Sequence, residues 1–114
     1  MWRIVLARAF EDYDLLLCPA AASAAFPHDQ AGERYQRTIK VNGKDVPTTD
    51  QLFWAGYSGL FYLPSTVAPA GSTPGGLPVG VQIVGPQYGD RTCIDFAHLL
   101  EQEYRGFVPP PGYA

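Results

Sequence analysis

Gly75-Gly76-Leu77-Pro78-Val79-Gly80-Val81-Gln82-Ile83-Val84-Gly85-Pro86, followed by Gly89-Asp90-Arg91-Thr92, is the stretch on which the reading of this chain turns. It reads as turn, strand, turn and helix start. Glycines and prolines stop a buried strand over 79–84 at both ends, because glycine releases the backbone and proline removes a ladder donor. Asp90 and Thr92 then offer side-chain oxygens to the unpaired amides of a new helix.

Working downstream, the helix is expected over 90–104. It buries Ile94, Ala97, His98 or Leu99, and Leu100 on or beside one face, and turns Glu101 and Glu103 to water. Gly106 ends it. The tail from Val108 to Tyr113 carries three consecutive prolines, lacks backbone donors for regular structure and favours an extended polyproline form. Upstream, Ser65-Thr66-Val67-Ala68 is strand-like and stops at Pro69-Ala70-Gly71. A turn-rich segment, residues 72–76, joins it to the 79–84 strand, so the two pair as an antiparallel hairpin with a long loop.

In the first half, Trp2, Val5, Leu6, Ala9 and Phe10 recur at spacings of three and four, one face of a helix, with Arg3 and Arg8 off it. Only Met1 precedes this pattern, without a cap residue, so the helix reads as the continuation of one begun further upstream. Leu15-Leu16-Leu17-Cys18, stopped by Pro19, is a continuous apolar run of the kind found in a strand covered on both faces. Such a strand needs a neighbour on each side, and few other strands are on offer here. Residues 20–33 follow neither period and read as a loop. Arg37 to Val41 and Lys44 to Val46 flank Asn42-Gly43, whose tolerance of positive φ makes it the strongest two-residue hairpin turn. Thr48, Thr49 and Asp50 are cap candidates for a short helix through Leu52, Phe53, Ala55 and Gly56 that ends near Ser58-Gly59.

The 114 residues are 46% hydrophobic, 13% aromatic and 17% charged, with a net charge of −3. One core is the ceiling at this length. A charged share below the usual quarter has two readings: a loop-rich domain, or apolar surface covered by another chain or by a further part of this one. The scattered basic residues supply no stripe for nucleic acid, which is excluded as a partner. No apolar run approaches a membrane span and the opening octet is too short and amphipathic for a signal peptide, so no membrane partner and a cytoplasmic location are expected. Cys18 and Cys93 have no zinc spacing and read as buried thiols.

Other constellations carry bland readings beside the sharp ones. Cys93 and His98 sit on one helix in directions roughly 140° apart, too far for a nucleophile and base to meet. His28, Asp29 and Glu33 lie in a loop that places no further ligands, so a metal is not expected. Ser72-Thr73-Pro74-Gly75-Gly76 lacks a Gly-Lys-Ser/Thr ending and precedes a strand where a phosphate loop precedes a helix.

Three blocks resemble the C-terminal end of the amidase signature family: Glu11 to Pro19; Phe53-Trp54-Ala55-Gly56 through Leu63-Pro64-Ser65-Thr66-Val67-Ala68-Pro69-Ala70-Gly71; and Leu77 to Thr92. The tail Gly106-Phe107-Val108-Pro109-Pro110-Pro111-Gly112 is similar to the way some members finish. The resemblance implies an α/β class, the C-terminal part of an α/β/α fold with a mixed sheet flanked by helices, residues 1–114 forming an incomplete domain with 107–114 extended. It implies hydrolysis of carboxamide C–N bonds without cofactor or metal. A serine nucleophile is activated through a second serine in a cis peptide and a proton-relaying lysine, water resolves the acyl-enzyme, and a glycine-rich turn holds the oxyanion.

In that family the serines and lysine lie far upstream of the matching segment, and none maps onto this sequence. Lys40 and Lys44, the only lysines, flank the Asn-Gly turn, where an ammonium is solvated. The implied role is a sheet scaffold and one wall of the substrate pocket. Wall candidates are Trp54, Tyr57, Phe61 and Tyr62, and Asp50 is placed to meet a substrate amine. Core packing for the aromatics and helix capping for Asp50 are the competing readings. Residues 57–64 depart from the Asn-x-x-Gly-x-Pro-like segment of many members, and the aromatics there would reshape an acyl pocket. Expected partners are the remainder of an amidase chain or a second copy, with the amide bound only in the complete enzyme; alone, the chain is expected to be inert. The alternative is a non-catalytic module that self-associates or completes a separately encoded part.

Overall fold

The computed structural model describes residues 2–113. Its elements run α1 (Trp2–Asp12), β1 (Leu16–Pro19), the hairpin β2 (Thr38–Val41) and β3 (Lys44–Pro47), α2 (Leu52–Phe61), β4 (Ser65–Ser72), β5 (Pro78–Val84) and α3 (Asp90–Glu103). Met1, and with it the start of the first helix, lies outside the described residues, as does the side-chain placement of Trp2, Arg3 and Ile4.

The quoted stretch forms the central strand. β5 pairs antiparallel with β4 on one side and β1 on the other, in the order β1-β5-β4. The β4–β5 hairpin closes through a turn in which Thr73 N–H donates to the Leu77 carbonyl at 2.8 Å and Gly76 N–H to the Thr73 carbonyl at 2.9 Å. β4 does not stop at Pro69: it continues to Ser72 through a register shift between Pro69 and Gly71. An edge strand accepts a proline because its outward positions have no ladder bond to lose. The second sheet is β2-β3, where Asn42 and Gly43 both take positive φ, 50° and 78°, as a two-residue turn demands.

Side chains alternate across a strand, so Gln82 and Ile83 face opposite sides of the sheet. Ile83 joins Ala68 and Cys93 in a buried cluster, with Leu15, Val81, Phe96, Ala97 and Leu100 packed around it, which places α3 on that face. The inward face of α3 is therefore Cys93, Phe96, Ala97 and Leu100, a spacing of three, four and seven. Ile94 and Leu99, expected inside, are 58% and 52% exposed. The cap expectation also fails: Gly89 is the cap residue of α3 and no side chain caps it. Asp90 sits in the first turn, where its charge still meets the positive end of the helix dipole.

Gly85 explains the tight join between β5 and α3. A Cβ there would lie 2.6 Å from Cys93 Sγ, a distance no side chain tolerates. Pro64 anchors the same corner: its carbonyl accepts the Gly85 N–H at 3.1 Å and the Cys93 thiol at 3.8 Å.

α2 covers the other face, where Cys18, Gln82 and Val84 are buried. It follows a 3-10 turn, Thr48–Gln51, and neither Thr48, Thr49 nor Asp50 caps it; Gln51 is the cap residue and makes no side-chain cap bond. It also runs past Ser58-Gly59 to Phe61 and closes with Tyr62 in the left-handed region at φ 57°, so that the Ser58 carbonyl accepts both the Tyr62 and Leu63 N–H groups. The tail extends from Gly106 and ends in a turn, Tyr113 N–H donating to the Pro110 carbonyl at 3.1 Å. The whole measures 44 × 41 × 21 Å with a radius of gyration of 16.3 Å, against about 13 Å for a compact chain of this length.

Candidate functional site

α2 carries three of the five candidate residues as a row of rings. Trp54 and Tyr57 stack, centroids 5.7 Å apart and 23° between planes, and Tyr57 meets Phe61 edge-on at 6.3 Å. Phe53 closes the row edge-on against Trp54 at 5.2 Å. Spacings of three and four put these rings on one helix face, which is why a short helix assembles them. Phe61 also lines an apolar cavity of about 310 Å³ with Leu6, Ala7 and Phe10 of α1 and with Leu63, Pro86 and Gln87. The structure thus brings together Trp54, Tyr57 and Phe61. It does not bring in the other two: Tyr62 is 72% exposed at the helix end, and Asp50 is exposed on the 3-10 turn.

The residue that sequence reasoning missed is Gln82. Only 4% exposed, its amide donates to the Trp54 carbonyl at 3.3 Å and to Cys18 Sγ at 3.4 Å. One side chain of the central strand therefore ties the aromatic helix to the sheet by a hydrogen bond. The signal was available: a lone amide between Val81 and Ile83 in a buried strand must find partners, because a buried polar group without them costs about 1–3 kcal/mol.

Neither cysteine is poised as a nucleophile. Burial pushes the Cys18 thiol above its ordinary value of 9.0, and the Gln82 hydrogen bond draws it back only in part. Burial also raises Cys93, helped by the nearby Asp90 charge, against partial relief from the Cys93 and Gly85 backbone N–H groups. Both remain protonated and unreactive near neutrality. His98 lies away from Cys93 on the outer side of α3, 2.9 Å from Gln102 Nε2 and 3.5 Å from Glu101. Lys40 pairs with Asp45 at 2.8 Å in open solvent. Among the described residues no group of three or more His, Cys, Asp or Glu side chains gathers, and Asp29 Oδ1 instead accepts the Ala31 N–H at 2.8 Å. No described helix is long and apolar enough to cross a membrane.

What the site offers is a ring-lined wall joined to a sheet by a buried amide among apolar contacts. Among known proteins, the chain is 34% identical over 107 residues to a chloroplastic/mitochondrial glutamyl-tRNA(Gln) amidotransferase subunit of Arabidopsis thaliana, covering 90% of this chain and 18% of that one. It is 33% identical to the corresponding amidotransferase subunit of an Exiguobacterium species, covering 91% and 19%, and 34% identical to that of Brevibacillus brevis, covering 82% and 17%. The chain spans less than a fifth of the length of these relatives. A solved structure from work on a vestigial protein complex and the evolutionary origins of an s-triazine catabolic enzyme matches with a TM-score of 0.74 at 22% identity, over 96% of this chain and 24% of that one, and supports the same fold. Residues 2–94 match the Amidase family, and the chain belongs to that family.

Proposed function

We propose that this chain is the C-terminal portion of an amidase signature hydrolase that cleaves carboxamide C–N bonds, and that it is catalytically inert by itself. The observation that carries the reading is the family match over residues 2–94 in a chain spanning 18% of its Arabidopsis relative. Its contribution to the whole enzyme is scaffold and wall. The central strand fixes the sheet, Gln82 helps hold α2, and Trp54, Tyr57 and Phe61 present aromatic surface to the acyl side of an amide. Nucleophile, proton relay and oxyanion donors come from elsewhere in the enzyme.

The test is ammonia release from a panel of aliphatic and aromatic carboxamides by the purified 114-residue protein. No turnover above buffer is expected. Hydrolysis that survives substitution of its serines and Cys93 would overturn the reading. Hydrolysis lost with one of those residues would relocate the chemistry into this chain. A stable, inactive self-assembled oligomer would favour the non-catalytic module instead.

A further inference from the structure

The end of α3 delivers a charged side chain to an apolar place. The Leu100 carbonyl accepts both the Tyr104 N–H at 3.0 Å and the Arg105 N–H at 2.8 Å, so the chain leaves the helix in a tight wrap. The Tyr104 hydroxyl donates to the Ala70 carbonyl at 3.3 Å and ties that helix end to β4. Arg105 is thereby set in the lining of a groove of about 500 Å³, shared between the β4–β5 hairpin and the departing tail. Small-molecule pockets fall between about 300 and 1,000 Å³, so this volume suits a small ligand. The groove shares no lining residue with the cavity beside Phe61.

Val67, Val79, Phe107 and Val108 line the groove, and all four stay exposed. Apolar side chains gathered at one place mark a binding surface, which the same residues scattered singly would not. Within this lining Arg105 alone carries a charge. It is half-buried, and among the described residues no carboxylate pairs with it. Glu101, whose side chain lies against Gly106, directs Oε2 to His98 Nδ1 at 3.5 Å. Arg105 Nη2 donates to Ser72 Oγ at 3.4 Å, a long bond that uses one of five guanidinium N–H donors. The Ser72 hydroxyl accepts there and keeps its own proton to give. Guanidinium and hydroxyl together form a donor pair on an apolar wall.

We propose that this groove binds a free small monocarboxylate with an apolar body. The carboxylate oxygens accept from the Arg105 guanidinium and the Ser72 hydroxyl, and the body lies against Val67, Val79 and Phe107. The sign of the ligand follows from the lone positive charge of the lining. A planar fork of donors matches a planar pair of oxygens, and one guanidinium balances one negative charge, which favours a carboxylate over a phosphate. The competing account is that the arginine stem merely covers apolar surface while its head rests in water. The two accounts differ in whether the charge of a ligand matters. Neither depends on the hydrolase reading, because binding in this groove requires no turnover.

The experiment titrates the isotope-labelled 114-residue chain with 3-phenylpropionate, 3-phenylpropionamide and acetate, and follows residue-resolved amide shifts. 3-Phenylpropionate should give saturable shifts centred on Val67, Ser72, Val79 and Arg105 to Val108, with a Kd of about 1 mM or below. The amide should bind about tenfold or more weakly, because it keeps the shape and loses the charge-assisted bond. Acetate, without the apolar body, should also bind more weakly than the phenyl acid. Arg105→Gln should weaken the acid about tenfold or more and leave the amide within about twofold, while Arg91→Gln, outside the lining, should change neither. Shifts elsewhere in each variant confirm that it folds. Raising salt should weaken the acid and spare the amide, a measurement that needs no variant. Equal affinity for acid and amide, or an acid indifferent to Arg105→Gln and to salt, overturns the proposal in favour of an arginine that only covers apolar surface. An absence of saturable shifts, or shifts centred outside the groove, overturns it as well.

Discussion

The two faces of the sheet are held by different physics. On the α3 face, Ile83, Ala68 and Cys93 are fully or nearly buried, and the contacts are apolar, non-directional and spread over eight side chains. On the α2 face the sheet buries Val84 and Cys18 under a helix that has no fully buried residue of its own, and a directional bond from the Gln82 amide to the Trp54 carbonyl is added. An apolar layer tolerates small shifts, because its energy is proportional to area removed from water. A hydrogen-bonded attachment fixes position to within a few tenths of an ångström and fails when either partner moves. The α3 face is therefore the more extensive apolar layer, and the α2 face adds a bond that fixes position.

That contrast is open to direct attack. The largest effect should come from Ile83→Ala, which leaves a cavity in the closed layer and should lower stability by about 3 kcal/mol, read as a shift of the urea midpoint. The same truncation at Leu60 of α2, which is 71% exposed, should stay within ~0.5 kcal/mol. Comparable losses at both sites would erase the distinction. Gln82→Leu comes next. It keeps the volume but leaves the Trp54 carbonyl and Cys18 without their donor, and should cost about 1–3 kcal/mol. It should also change the near-ultraviolet dichroism of the Trp54–Tyr57 stack, whereas Ile83→Ala should leave that band in place until the chain unfolds.

The smallest effect concerns pH. Both thiols are raised in the folded state, so between the ordinary 9.0 and the folded value the native chain holds protons that the unfolded chain has released. Their contribution is fully present below pH 9 and is lost as pH rises through the folded values. Stability should fall with rising pH in that alkaline range. The fall should become shallower in Cys93→Ala, and shallower again when Cys18→Ala is added, measured as urea midpoints at successive pH values.

Much of this fold was legible because its punctuation is local. Asn42-Gly43 specified its turn through two positive φ angles, and the glycines and prolines around 79–84 located β5. What was not legible depended on neighbours. Pro69 reads as a stop, and becomes one only for a strand paired on both sides. Ile94 and Leu99 are as apolar as Phe96 and Leu100, and only the position of β4 and β5 selects which side of α3 is inward. Thr48, Thr49 and Asp50 are sound capping residues, but the 3-10 turn they form moves the helix start beyond their reach. The aromatic row of the candidate site was visible in its spacing. The residue that fixes it, Gln82, lies 28 positions away from Trp54, and no period connects the two.

Gly85 and Cys93 meet where a Cβ would stand 2.6 Å from sulfur. Positions 85 and 93 thus share a single volume, and interiors packed to crystal-like density have none to spare. Within this chain, growth at position 85 calls for shrinkage at position 93, so alanine at 85 goes with alanine or glycine at 93. A chain that breaks this pairing must turn the Cys93 sulfur aside or move the first turn of α3 away from the sheet.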